Sequence, residues 1–293
     1  MRQRTLSRYL QETYGKKIYK VSINAGFTCP NRDGTLGTKG CIFCSGTGSG
    51  DFAESPSASV TEQIETGKKR IEAKLHGSKQ DPPNLIAYFQ AFTNTYAPIE
   101  RLRKQFTEAI DHPEVAILSV ATRPDCLGKE VLDLLSELNR KKPVWVELGL
   151  QTIHEKTAAY IRRGYPLGTY DEAVRNLQKR NLETIVHVIL GLPGEIREEM
   201  LETVKYVGDS GANGIKLQLL HVLRGTDLAK DYEAGKFTCL SEDVYIELIK
   251  DALHVLPDDI VIHRMTGDGD KKLLIAPMWS ANKKEVLSRL QGL

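Results

Sequence analysis

The 293-residue chain has no apolar run near the roughly 18 to 20 residues that a membrane-spanning helix needs. Arg2, Arg4 and Arg8 surround Leu6 and Leu10 at the N-terminus, but no long apolar stretch follows. The start is therefore expected to be an amphipathic helix and not a signal peptide, and the protein to be cytoplasmic and off the membrane. Net charge is almost absent, at +2, which neither announces nor excludes a nucleic-acid partner. There is no low-complexity linker and no long internal repeat. Cysteine is scarce: of five residues, Cys126 and Cys239 stand alone while Cys29, Cys41 and Cys44 crowd into one Gly-rich segment. An odd, clustered set does not form a secreted disulfide framework. Clustered thiols in a reducing compartment point to a metal.

What the sequence does have is alternation. A short strand is expected over Ile18 to Ile23, followed by a Gly- and Cys-rich loop from about Asn24 to Asp51. Amphipathic helices near Val60 to Leu75, Ile99 to Ile110, Lys129 to Leu138, Tyr170 to Lys179 and Arg197 to Val207 then precede apolar runs at Leu85 to Phe89, Val115 to Val120, Val144 to Leu150, Thr184 to Leu190 and Gly214 to Leu220. Short apolar strands alternating with helices predict a parallel sheet covered on its outer face. Six such strands make an α/β fold with an open or partial barrel. One catalytic domain is expected over residues 1–225, with a C-terminal extension over 226–293 packed on it. Barrel active sites lie at the C-terminal ends of strands, where Gln90, Arg123, Gln151, Gly191 and His221 fall.

The segment from Cys29 to Cys44 puts three thiols on the loop after the first strand, and Gly34, Gly37 and Gly40 permit it to fold back. Three cysteines leave one iron of a cubane open to chelate a cofactor, whereas a closed electron-transfer cluster takes four. The alternatives are a structural zinc site with Cys126 or a histidine as fourth ligand, or plain core thiols. Gly46, Gly48 and Gly50 follow this loop without joining a strand to a helix, so they form no dinucleotide fingerprint.

The loop, with Phe43 immediately before its last cysteine, resembles the radical S-adenosylmethionine (SAM) superfamily. Its spacing of eleven and then two residues is similar to that of the elongator-type branch and its bacterial relatives of the YhcC/YtqA (MnmL) type. The likeness extends through Tyr88 to Tyr96, Thr122 to Cys126, Glu147 to Gln151, Gly191 to Glu195, Lys216, Arg224 to Thr226 and His263 to Asp268. It implies a partial (β/α)6 TIM-like barrel with a [4Fe-4S] cluster on Cys29, Cys41 and Cys44. The open iron would bind SAM, and an electron from a donor such as flavodoxin or ferredoxin would cleave it reductively.

By the same resemblance, Gln151 matches a ribose or methionine contact, Arg163 the arginine that pairs with the SAM carboxylate, and Gly191 the turn near the adenine. Phe43, Gln90, His187 and His221 complete the cofactor set. A lone histidine on an apolar strand is ordinarily a core residue, Arg163 has the plain alternative of a solvated helix-end cation, and Glu195 serves equally well to start a helix. Ala121 stands where the elongator pattern has glutamate, which puts one strand-end contact in doubt.

Asn94, Tyr96, Arg123, Lys216, His221, Arg224, Arg264 and Asp268 are the candidate substrate groups, with Tyr96, Lys216 and Arg264 the candidates for catalysis. Elongator-type proteins act on the wobble uridine of tRNA. The bacterial type is linked to converting its carboxymethylaminomethyl side chain to aminomethyl. Competing expectations are radical chemistry on a small metabolite or peptide, and a zinc-stabilised RNA-binding protein.

Overall fold

A computed structural model describes residues 4–48, 50, 53–76, 84–267 and 269–291. The chain runs α1 (Leu6–Tyr14), β1 (Tyr19–Ile23), α2 (Val60–His76), β2 (Leu85–Phe89), α3 (Ile99–Asp111), β3 (Val115–Thr122), α4 (Lys129–Asn139) and β4 (Val144–Gln151). It continues through α5 (Glu155–Tyr160), α6 (Leu167–Gln178), β5 (Glu183–Leu190), α7 (Arg197–Asp209), β6 (Gly214–Leu219) and β7 (Val222–Leu223). Last come α8 (Asp227–Glu233), α9 (Glu242–Val255), β8 (Val261–Arg264), β9 (Leu274–Ala276) and α10 (Lys283–Gln291).

Seven strands form one sheet in the order β1-β2-β3-β4-β5-β6-β8, and every neighbouring pair is parallel. The sheet curls into the half-barrel that the alternation predicts. One strand exceeds the expected six: β8 comes from beyond residue 225. Its sequence, Val-Ile-His-Arg, is half polar and too short to stand out as an apolar run. A second, two-stranded sheet pairs β7 with β9 antiparallel.

The strands turn Val21, Ile23, Ala87, Phe89, Leu118, Val120, Val146, Leu148, Val186 and Val188 into one large core with the helices. Closeness of helix to sheet is set locally by Gly67 of α2, where a Cβ would lie 2.2 Å from Val21 Cγ1. A second apolar layer comprises Ile86, Ile117, Trp145 and Ile185 with Leu10 of α1, and Leu6, Tyr9 and Tyr14 pack against it. α1 therefore stops the N-terminal end of the half-barrel. Thr5 Oγ1 caps it by accepting from Arg8 N, and Gly15 ends it in the left-handed region. Thr5 also bridges to Ile262 of β8. Among the described residues no helix is long and apolar enough to cross a membrane.

Candidate cluster and cofactor site

At the C-terminal ends of the strands a cavity of about 240 Å³ is lined by Cys29, Cys41 and Cys44 together with Phe43, Gln90, Arg123, Gln151, Arg163, His187, His221 and Arg264. The cysteine loop is shaped by its own backbone: Arg32 N donates to Cys29 O at 2.8 Å, Gly40 N to Asn31 O at 2.7 Å and Cys44 N to Cys41 O at 3.1 Å. Arg32 closes it from the side chain, donating Nη2 to Cys44 O at 3.1 Å and Ser45 O at 2.7 Å. Ile42 ties the loop across the cavity, its N–H donating to Ile161 O and its carbonyl accepting from Leu228 N.

Burial pushes the Cys41 thiol up to about 12, with Cys44 adding to the rise and Arg123 and Asn31 opposing it. A cation or metal would reverse that balance, because it is the thiolate that ligates. Among the described residues, no group of three His, Cys, Asp or Glu side chains closes on a single ion position. A cubane makes no such demand, since each cysteine takes a different iron corner.

Gln151 owes its position to a break in the ladder. β4 and β5 shift register between Gly149 and Gln151, Gln151 has a φ of 70°, and its Oε1 is buried without a hydrogen-bond partner. An orphaned buried acceptor costs stability unless a ligand satisfies it, and a ribose hydroxyl or an ammonium is the kind of donor it fits.

Arg163 is buried and oriented by protein acceptors: Nη1 donates to Thr152 O at 2.6 Å, Nε to Tyr165 O at 3.0 Å and Nη2 to Glu155 Oε1 at 3.1 Å. Its guanidinium lies 4.8 Å from the Tyr165 ring centroid. The helix-end cation is thus not solvated. Arg123 lies 5.1 Å from the same ring and makes a bidentate pair with Asp125 at 2.9 and 2.7 Å.

The floor of the cavity is a network that no single motif shows, with Tyr88, Glu147 and His187 facing the space above. Glu147 of β4 is 1% exposed. It accepts from Lys20 of β1 at 3.0 Å, Ser119 of β3 at 2.7 Å, His187 of β5 at 2.7 Å and Lys216 of β6. Tyr88 of β2 completes the ring, with Lys20 and Lys216 ammonium groups 4.2 and 4.5 Å from its ring centroid.

Burial opposes charge on Glu147, yet Lys20, Lys216 and His187 hold its carboxyl well below the usual carboxylate range. Burial drives His187 down to about 4, and the Lys216 charge adds to it. The imidazole is therefore neutral. An ionised Glu147 makes Nε2 its donor, and Nδ1 accepts from Gln218 Nε2 at 3.2 Å. Burial likewise lowers Lys216 well below an ordinary lysine, with Lys20 and Arg264 adding and Glu147 opposing.

Several expected groups do not line the cavity. Lys216 lies in the network under it. Tyr96 pairs its hydroxyl with Thr35 at 2.8 Å, and Arg224 is exposed, its N–H held by Leu273 O at 2.7 Å. Asn94 is a buried clamp, donating Nδ2 to Phe89 O at 3.1 Å and Ala121 O at 2.9 Å. Gly191 takes a φ of 89° and packs beside Leu240. Asp268 lies outside the described residues. Ala121, where the pattern departed from the resemblance, does line the cavity and pairs in register with Glu147. Glu147 and Tyr88 fall inside motifs that carry the resemblance but received no role there, and Lys20 lies outside every motif; for Glu147 the signal was a carboxylate inside an otherwise apolar strand.

A parallel half-barrel with three loop thiols at the strand ends, above a buried polar floor, defines an enzyme class built to hold a metal cluster and a small cofactor side by side. The chain belongs to the radical SAM superfamily, matching it over residues 27–207, with the Radical_SAM C-terminal domain matching residues 212–292. Within it the chain belongs with the YhcC/YtqA family of the elongator-type branch. It is 47% identical over 289 residues to YtqA of Bacillus subtilis, covering 99% of this chain and 88% of YtqA. A tRNA uridine(34) acetyltransferase of Methanocaldococcus jannaschii is 25% identical over 187 residues, 63% of this chain and 34% of that protein. The solved structure of Methanocaldococcus infernus Elp3 with an N-terminal deletion superposes with a TM-score of 0.69 at 17% identity, over 94% of this chain and 63% of that truncated chain, a likeness of fold.

Proposed function

We propose that this protein carries a [4Fe-4S] cluster on Cys29, Cys41 and Cys44, binds SAM against it, and modifies the wobble uridine of tRNA by converting a carboxymethylaminomethyl side chain to aminomethyl. The observation that carries the cofactor reading is that the three thiols share one cavity with the partnerless amide oxygen of Gln151 and with Arg163. Bound together there, the cluster and SAM would supply reductive carbon–sulfur cleavage, with the electron drawn from a donor such as flavodoxin or ferredoxin.

The protein's own part is binding and orientation. Gln151 Oε1 accepts from a ligand donor. Arg163 has five N–H groups, of which three are taken by Thr152, Tyr165 and Glu155. The remaining two suit a carboxylate. Phe43 and Gln90 line the walls, neutral His187 stands in the floor beside Glu147, His221 and Arg264 line the same cavity, and Gly191 shapes the turn after β5. Lys216 acts through Glu147, fixing the charge of the floor. Support for the tRNA substrate is the likeness to a tRNA uridine(34) acetyltransferase.

Deoxyadenosine formation from SAM by anaerobically reconstituted, dithionite-reduced protein tests the cofactor reading, beside a Cys41→Ala Cys44→Ala control. Product from the wild type alone is the expected result. No product from protein with a verified cluster and tRNA present sinks it in favour of a binding role for the metal site. The substrate is tested by mass spectrometry of tRNA from a deletion strain. An unchanged wobble-uridine profile would overturn the tRNA assignment and direct the search to small metabolites or peptides.

A further inference from the structure

Asn31 sits two residues after Cys29 and is 6% exposed. Its side-chain Nδ2 donates to Arg162 O at 2.8 Å and lies 3.4 Å from Arg163 O and 3.5 Å from Cys41 Sγ. Two carbonyl acceptors fix which way the amide points, because an oxygen in that place would face oxygen. The nitrogen is therefore the atom that meets the sulfur.

The turn that orients it, residues 161–165, is itself clamped. Arg123 Nη1 donates to Arg163 O at 2.8 Å, and Ile42 N to Ile161 O at 3.3 Å. Gly164 has a φ of 81°, and a Cβ there would lie 2.8 Å from Asn31 Oδ1. A left-handed glycine thus makes room for this one side chain.

We propose that Asn31, held by the 161–165 turn, sets the reduction potential of the cluster through an N–H···S hydrogen bond to Cys41. The inference rests on the three cysteines being cluster ligands. Reduction adds negative charge that the thiolate sulfurs share, and a donor aimed at a sulfur stabilises the reduced form more than the oxidised one. Asn31 is a positioning and tuning residue; it touches the ligand atom and not the substrate.

The test is an EPR-monitored redox titration of reconstituted wild type, Asn31→Ala, Asn31→Asp and Thr38→Ala, with iron and sulfide measured in each. Thr38 is an exposed position of the same loop. The expected midpoint falls from wild type to Asn31→Ala, which loses the donor, and further in Asn31→Asp, which adds an anion. Thr38→Ala stays at the wild-type value. Pulsed EPR on protein labelled with ¹⁵N-asparagine should show nitrogen coupling in the reduced wild type that disappears in Asn31→Asp. Fully loaded variants with an unmoved midpoint overturn the inference, and so does reduced loading with an unmoved midpoint in the loaded fraction, which is the mark of a purely structural contact. Wild-type protein that retains neither iron nor sulfide removes the ligand assignment, and this inference with it.

Discussion

The floor of the cavity and its rim are built by different means. In the floor, six neighbouring strands each contribute one side chain to a network centred on Glu147: Lys20, Tyr88, Ser119, Glu147 itself, His187 and Lys216. The rim is a loop held by turns within itself, by Arg32 on two of its carbonyls and by Ile42 across to Ile161 and Leu228. Floor residues cannot move without the sheet, so their charge balance is part of folding. Rim residues depend on local hydrogen bonds and on whatever the thiolates bind. Disrupting the floor should therefore unfold the protein, whereas disrupting the rim should empty it.

Glu147→Ala is the most severe break. It takes from Lys20 and from the buried Lys216 the carboxylate they share, and removing one partner of a buried ion pair costs about 3–5 kcal/mol. Urea unfolding of the metal-free protein should show this loss, and a loss under about 1 kcal/mol would mean that the network is not a folding element. Next in size is a pH effect. The folded value of His187 is about 4 against an ordinary 6.5, so the unfolded chain takes up its proton first. The resulting stability is fully present above about pH 6.5 and is lost as pH falls toward 4. At 1.36 kcal/mol per pKa unit, about 2 kcal/mol should disappear between about pH 7 and about pH 5. Glu147, also held low, extends the loss at lower pH. His187→Gln should flatten the slope between about pH 7 and about pH 5 in urea titrations.

Most of the architecture was legible because a parallel sheet buried on both faces writes its strands as apolar runs. The run Val144 to Leu150 became β4 and Thr184 to Leu190 became β5 with ends moved by one residue. β8 escaped because His263 and Arg264 occupy half of it. In the site, the three cysteines and Gln151 were visible as loop and strand-end residues, but the bulge that turns Gln151 and the centrality of Glu147 depend on register between strands distant in sequence.

Lys216 shows the same limit at the scale of two residues. Side chains alternate along a strand, so Lys216 and Gln218 share a face of β6. Gln218 lines the cavity, while Lys216 falls one step below it, into the floor. Tyr96 lies beyond the strand end, and its partner Thr35 belongs to the outer part of the cysteine loop, which spacing along the chain cannot reveal.

The two rim substitutions should have the smallest effects on folding, and they separate one role from another. Arg32→Ala removes two hydrogen bonds from a charged donor and the guanidinium 5.6 Å from the Phe92 ring centroid. Part of that loss is made up by water, so about 1–2 kcal/mol of metal-free stability should go. Because Arg32 fixes the carbonyls of Cys44 and Ser45, iron retained after gel filtration should fall much further than stability does. Equal stability and iron content in the variant and wild type would place the loop's rigidity elsewhere. Tyr96→Phe is milder still: it deletes the hydroxyl's contacts to Thr35 and Asp33 on the exposed side of the loop, an effect within about 0.5 kcal/mol. If Tyr96 serves only to brace the loop, deoxyadenosine formation should stay within about twofold of wild type, the rate equivalent of about 0.4 kcal/mol. A large loss of rate with full iron and unchanged stability would instead carry the Tyr96 hydroxyl into the reaction, and would mean that the rim closes over the cavity when substrate binds.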